Sequence, residues 1–106
     1  MVKILIAQIN PILGDFEGNL KQIEKSLLSI KDFDIAVFPE MSLPGYLPSD
    51  LILDSTFIKK QNLALERLKN IVKDKLIVVG GIDSSEGEKP FFNTAFLIYE
   101  GKIQAR

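Results

Sequence analysis

Three short runs of this chain, Val2 to Ile9, Ile35 to Phe38 and Leu76 to Val79, are almost wholly apolar and rich in β-branched residues. Apolar on both parities, such runs suit strands covered on both faces, the environment of a parallel sheet. Parallel neighbours need a crossover between them, most often a helix. Both intervals supply one. After a loop punctuated by Gly14 and Gly18, Asn19 is a candidate N-cap for a helix whose Leu20, Ile23, Leu27 and Ile30 recur at i, i+3, i+7 and i+10. In the second interval Pro44, Gly45 and Pro48 keep residues 41–50 irregular. Ser55 or Thr56 then caps a longer helix carrying Phe57, Leu63, Leu65, Leu68, Ile71 and Val72 and closing at Asp74 and Lys75.

The third run ends at Gly80-Gly81, and Asp83 to Lys89 reads as a polar loop. Asn93 to Tyr99 predicts a fourth strand, Glu100-Gly101 a turn, and Lys102 to Arg106 a last strand. The order β-α-β-α-β-β predicts an α/β fold. Right-handed crossovers place both helices on one face of a partly parallel sheet and leave the other apolar face without a cover of its own.

Composition bounds the chemistry. At 106 residues the chain fits within one domain, and no internal boundary or repeat divides it. Its 13 basic and 14 acidic residues leave a net charge of −1, so no positive field exists to hold a phosphate backbone and nucleic acid is not an expected partner. With 0 Cys and 0 His, these residues contain no disulfide, no thiolate or imidazole metal site, no Cys nucleophile and no Ser-His relay. No run approaches the roughly 18 apolar residues of a membrane helix. A signal-peptide layout is also lacking, which makes the cytoplasm the expected location.

The informative constellation is Asp34-Ile-Ala-Val-Phe-Pro-Glu40, a buried strand delivering a carboxylate at its end. Ligands of open α/β sheets collect at the carboxyl ends of strands, where a general base belongs. The apolar strand behind Glu40, with Pro39 and Pro44 stiffening the backbone, favours a desolvated carboxylate. The alternative is a Glu40 that only caps amides of the loop after it. Tyr46 either lines a pocket or packs over the sheet edge. Lys59 and Lys60 fall in the charged stretch of the second helix and read as a solvated face, and Asn93 reads as a structural side chain at a strand entrance. Gly80-Gly-Ile-Asp-Ser84 has part of the look of a pyrophosphate-binding loop, but lacks its leading Ser and a helix start after it.

Two longer stretches, Ile6-Ala-Gln-Ile-Asn-Pro-Ile-Leu-Gly-Asp-Phe-Glu-Gly-Asn19 and Phe38-Pro-Glu-Met-Ser-Leu-Pro-Gly-Tyr-Leu-Pro-Ser-Asp-Leu51, resemble the opening of the nitrilase (carbon-nitrogen hydrolase) superfamily. The nearest branch is the amino-terminal glutaminase domain of glutamine-dependent NAD synthetases. Val78-Val-Gly-Gly81 and Phe92 to Lys102 extend the likeness along the chain. The resemblance implies that residues 1–106 are the first portion of one such domain. The fold would be part of an α-β-β-α sandwich, with a mixed sheet and two helices on one face.

In that family a Cys attacks the amide carbon, a Glu moves its proton and a Lys stabilises the tetrahedral intermediate. Glu40 matches the Glu, Tyr46 the lining of the glutamine pocket, and the Lys and Cys are not among these residues. The resemblance further implies glutamine as the small-molecule substrate and a homo-oligomeric parent. No cofactor or metal is expected in this chain, while ATP and magnesium belong to the parent's synthetase domain. A stand-alone amidase or nitrilase, or a non-catalytic oligomerising module, are the alternatives.

Overall fold

Each strand of the sheet pairs with the one before it in the chain. The computed structural model describes residues 1–30, 32–45, 55–84 and 91–105. Their elements run β1 (Ile4–Ile6), α1 (Phe16–Ser29), β2 (Ile35–Val37), α2 (Ser55–Leu68), β3 (Leu76–Ser84), β4 (Phe91–Tyr99) and β5 (Lys102–Ala105). The sheet order is β1-β2-β3-β4-β5. The two crossovers make β1, β2 and β3 parallel, with Ile4 opposite Ile35 and Ile35 opposite Leu76. β4 and β5 return antiparallel. This is the mixed sheet and element order expected from the periodicities.

Both helices pack on one face. Phe16, Leu20, Ile23 and Leu27 of α1 and Ala64, Leu65 and Leu68 of α2 bury into one cluster with Ala36, Phe38, Ile77, Val79, Phe96 and Ile98 of the sheet and its edge. Each fully buried large aliphatic side chain there contributes about 1.5–3 kcal/mol. The other face alternates outward and has no layer over it among the described residues. Ile4 and Ile6 are 58% and 75% exposed, and Ile35, Val37, Val78 and Leu97 are only half-buried. β1 is accordingly covered on one face, not on both.

Several boundaries depart from the predicted ones. α1 begins earlier, because Asp15 is its N-cap, accepting from the Gly18 amide at 3.0 Å. Ile30 ends it in extended backbone and is exposed. The inward stripe of α2 is Gln61, Ala64, Leu65 and Leu68, while Leu63 is 66% exposed, and the helix ends at Leu68. Gly80-Gly81 does not terminate β3, which continues to Ser84 and forms a long hairpin with β4. A glycine pair within a strand marks close approach of another backbone as readily as a turn, and close approach is its role here. The expected loop therefore yields Asp83 and Ser84 to the strand, and residues 85–90 lie outside the described part. No described helix is long and apolar enough to cross a membrane.

Candidate functional site

Glu40 stands where β2 runs out, on the first residue of a tight turn that fills the end of the sheet. The Ser42 amide donates to the Pro39 carbonyl at 3.1 Å, and the Gly45 amide to the Met41 carbonyl at 2.9 Å. Closing the turn forces Met41 to φ +56°, a left-handed conformation in which a Met is strained. Such strain persists only where the surroundings over-determine the backbone, and three separate elements do so here.

β3 is the first. The Gly80 amide donates to Ser42 Oγ at 3.0 Å, and the Leu43 amide donates to the Gly80 carbonyl at 3.1 Å. The two backbones lie so close that a Cβ on Gly80 would sit 2.5 Å from Met41 N and 2.7 Å from the Pro39 carbonyl oxygen. The second is α1, whose buried Asn19 donates from Nδ2 to the Leu43 carbonyl at 2.8 Å. The third is the loop before α1, where the Gly14 amide donates to the Pro44 carbonyl at 2.9 Å. Gly45, at φ +82°, allows that loop to pass over it, since a Cβ there would meet Leu13 N at 2.7 Å.

A shallow groove of about 350 Å³ opens beside the turn, lined by Val37, Pro39, Glu40, Val78, Gly80 and Ala95 among others. Glu40 is exposed at its rim rather than desolvated as expected from the strand behind it. The reason is the uncovered sheet face. The groove is therefore an apolar floor with one carboxylate at its end.

Of the other sequence candidates, Tyr46 lies outside the described residues. Lys59 and Lys60 are exposed on α2 and do not line the groove. Asn93 takes its place in β4 opposite Ile82. The Gly80–Ser84 segment is itself strand, paired along its length with β4, and not a phosphate-receiving loop. Among the described residues no group of three acidic or other ligating side chains could hold a metal ion. A wider groove of about 720 Å³ between α1 and α2 is lined by Phe16, Leu20, Leu63 and Ala64, with the Arg67–Glu17 ion pair on its rim. It has an apolar base and a solvated edge, and shares no residue with the Glu40 turn.

Sequence reasoning passed over the buried polar groups Ser42 and Gln61 and read Asn19, also buried, as an N-cap, a place that Asp15 takes. Gln61 donates to the Ile82 carbonyl at 2.6 Å and accepts from the Ile82 amide at 2.9 Å, joining α2 to β3. The available signal was positional: Asn19 and Gln61 fall on the buried stripes of their helices, four residues before Ile23 and Leu65, where a polar side chain must bond the backbone of a neighbouring element.

Residues 3–105 match the carbon-nitrogen hydrolase family. The chain belongs to that family. Curated relatives similar to this carbon-nitrogen hydrolase chain include the glutamine-dependent NAD(+) synthetases of Thermotoga maritima, 37% identical over 96% of the chain and 18% of the relative, and of Aquifex aeolicus, 31% identical over 97% and 18%. Among solved structures, the glutamine-dependent NAD+ synthetase of Acinetobacter baumannii in complex with ADP superposes with a TM-score of 0.85 at 27% identity, covering 98% of the chain and 20% of that structure. An amidase from Nesterenkonia sp. shares the fold, with a TM-score of 0.77 at 23% identity over 98% of the chain and 41% of the amidase. The chain thus spans about a fifth of the length of the synthetases it matches.

Proposed function

We propose that residues 1–106 form the base-bearing portion of a glutaminase unit within a glutamine-dependent NAD synthetase. The unit hydrolyses glutamine to glutamate and ammonia, and the ammonia serves ATP-dependent amidation of deamido-NAD in a synthetase portion outside these residues. ATP and magnesium belong to that portion. The observation that carries the reading is the placement of Glu40, on a turn locked from three sides, at the carboxyl end of a parallel strand and the rim of an apolar groove. The curated relatives at 37% and 31% identity are glutamine-dependent NAD(+) synthetases, which favours glutamine over a simple carboxamide.

In this mechanism Glu40 accepts the proton of a thiol as its sulfur attacks the amide carbon, and returns it to the departing ammonia. Water then attacks the thioester carbon with Glu40 taking its proton, and as the C–S bond breaks Glu40 returns that proton to the departing sulfur. The thiol and the cation facing the tetrahedral intermediate come from beyond these residues, which contain 0 Cys. The rigid turn supports the role because a base transfers a proton only within hydrogen-bond reach, and each lost degree of freedom keeps it there. The open apolar face supports it as well, since a layer packed there would exclude water from Glu40.

The test is ammonia release from glutamine by the full-length protein and by its Glu40→Gln variant. The amide cannot accept a proton, and loss of a general base costs about 10²–10⁴-fold in turnover. Undiminished turnover in the variant removes Glu40 from the mechanism. Hydrolysis of small aliphatic amides but not of glutamine would transfer the unit to the amidases.

A further inference from the structure

We infer that Asn19 is a positioning residue for Glu40. Its side chain is fully buried and makes three bonds, two to the backbone of Ile12 and one to that of Leu43. Oδ1 accepts from the Ile12 amide at 2.7 Å, and Nδ2 donates to the Ile12 carbonyl at 2.9 Å and to the Leu43 carbonyl at 2.8 Å. One amide thus ties the first turn of α1 to the loop before it and to the Glu40 turn.

The geometry gives the Leu43 bond a particular effect. Leu43 is held on its amide side by Gly80 and on its carbonyl side by Asn19, which pins the peptide two links beyond Met41. A left-handed Met relaxes to ordinary backbone unless both flanks are fixed. The β2 strand fixes the flank at Pro39, and Leu43 is the other. Without the Asn19 bond Leu43 is held by Gly80 alone, which loosens the far flank of Met41 and with it the position of Glu40. Asn19 touches neither Glu40 nor the groove, so it acts through the turn alone.

The inference rests on Glu40 being the base, and its test separates the two. In the full-length protein, glutamine hydrolysis is measured for Asn19→Ala, Gln61→Ala and Glu40→Gln. Gln61 is the matched control, an equally buried amide bonded to the backbone of Ile82 in β3 and not to the Glu40 turn. A displacement near 1 Å costs about tenfold to hundredfold in kcat, so Asn19→Ala is expected to lose that much with KM changed less than about twofold, while Gln61→Ala keeps kcat within about twofold. Should Asn19→Ala fail to fold, Asn19→Ser, which is too short to reach Leu43, is read the same way. Equal kcat losses in the Asn19 and Gln61 variants, or an undiminished kcat in the Asn19 variant, would overturn the inference. Undiminished kcat in Glu40→Gln would instead overturn the assignment of the base.

Discussion

Replacing one hydrogen at Gly80 tests whether β3 sets the position of Glu40. In Gly80→Ala the new methyl begins 2.5 Å from Met41 N, 2.7 Å from the Pro39 carbonyl oxygen and 3.0 Å from the Glu40 carbonyl carbon, whereas ordinary contact starts at 3.4 Å. Every one of those atoms is backbone, so no side chain can swing aside, and the turn must separate from β3 by about 0.9 Å. Overpacking of this kind costs about 1–3 kcal/mol of folding free energy. The shift also strains the Gly80–Ser42 and Leu43–Gly80 bonds, and under the proposed role of Glu40 as base a displacement of nearly 1 Å lowers turnover about 10²-fold. Steady-state glutamine hydrolysis and a thermal melt of the full-length protein read both effects. Gly81→Ala is the companion, because its methyl meets Gln61 Oε1 at 2.8 Å and Phe96 Cε2 at 3.0 Å, side-chain atoms that can rotate away. It should lower the melting point without a comparable loss of turnover. A folded Gly80→Ala protein with kcat/KM within about twofold of wild type would show that β3 does not locate the Glu40 turn, and the reasoning would fail.

Two further outcomes follow from the packing. A 106-residue chain prepared alone should self-associate at micromolar concentration, since Val2, Ile4 and Ile6 are 64%, 58% and 75% exposed beside the apolar outer face. Light scattering from a clean monomer with a cooperative melt would show that the face is stable in water. Leu68→Ala, at a fully buried site joining α2 to the sheet, should destabilise the unit by about 2–5 kcal/mol. Hydrogen exchange at β3 amides reads this directly, and a change below about 1 kcal/mol would place α2 outside the core.

Periodicity made the order of elements legible. Leu20, Ile23 and Leu27 on one helix, and the apolar runs around Ala36 and Ile77, each allow a single assignment once lengths are weighed. The departures arise where one residue type serves two physical ends. Gly80-Gly81 signals a turn when read along the chain, but Gly80 accommodates the backbone of Pro39 and Met41, some forty positions away, and Gly81 the side chains of Gln61 and Phe96. Asn19 has the chemistry of an N-cap, yet Asp15 caps the helix and Asn19 uses the same amide for tertiary bonds. Leu63 extends an apolar series in sequence while its angle around α2 faces water. As for the proposed site, the position of Glu40 just after β2 was legible, but the turn that bears it was not: Met is among the last residues expected at a positive φ, and bonds from α1, β3 and the preceding loop hold it there. Its expected desolvation rested on the apolar strand behind it, but that strand shields only one side and the carboxylate stands exposed.

The succession of strands in the sheet also bears on how the chain is made. Since spatial order repeats chain order from β1 to β5, every strand emerging from a ribosome finds its pairing partner already synthesised beside it. No strand has to be inserted later between two earlier ones, so each loop closure spans only one crossover or one hairpin. Sheets that depend on distant segments fold slowly and leave edges exposed while they wait. Here the growing edge advances with synthesis, and the carboxyl end of β2, with the turn bearing Glu40, is clamped as soon as Gly80 has joined the sheet.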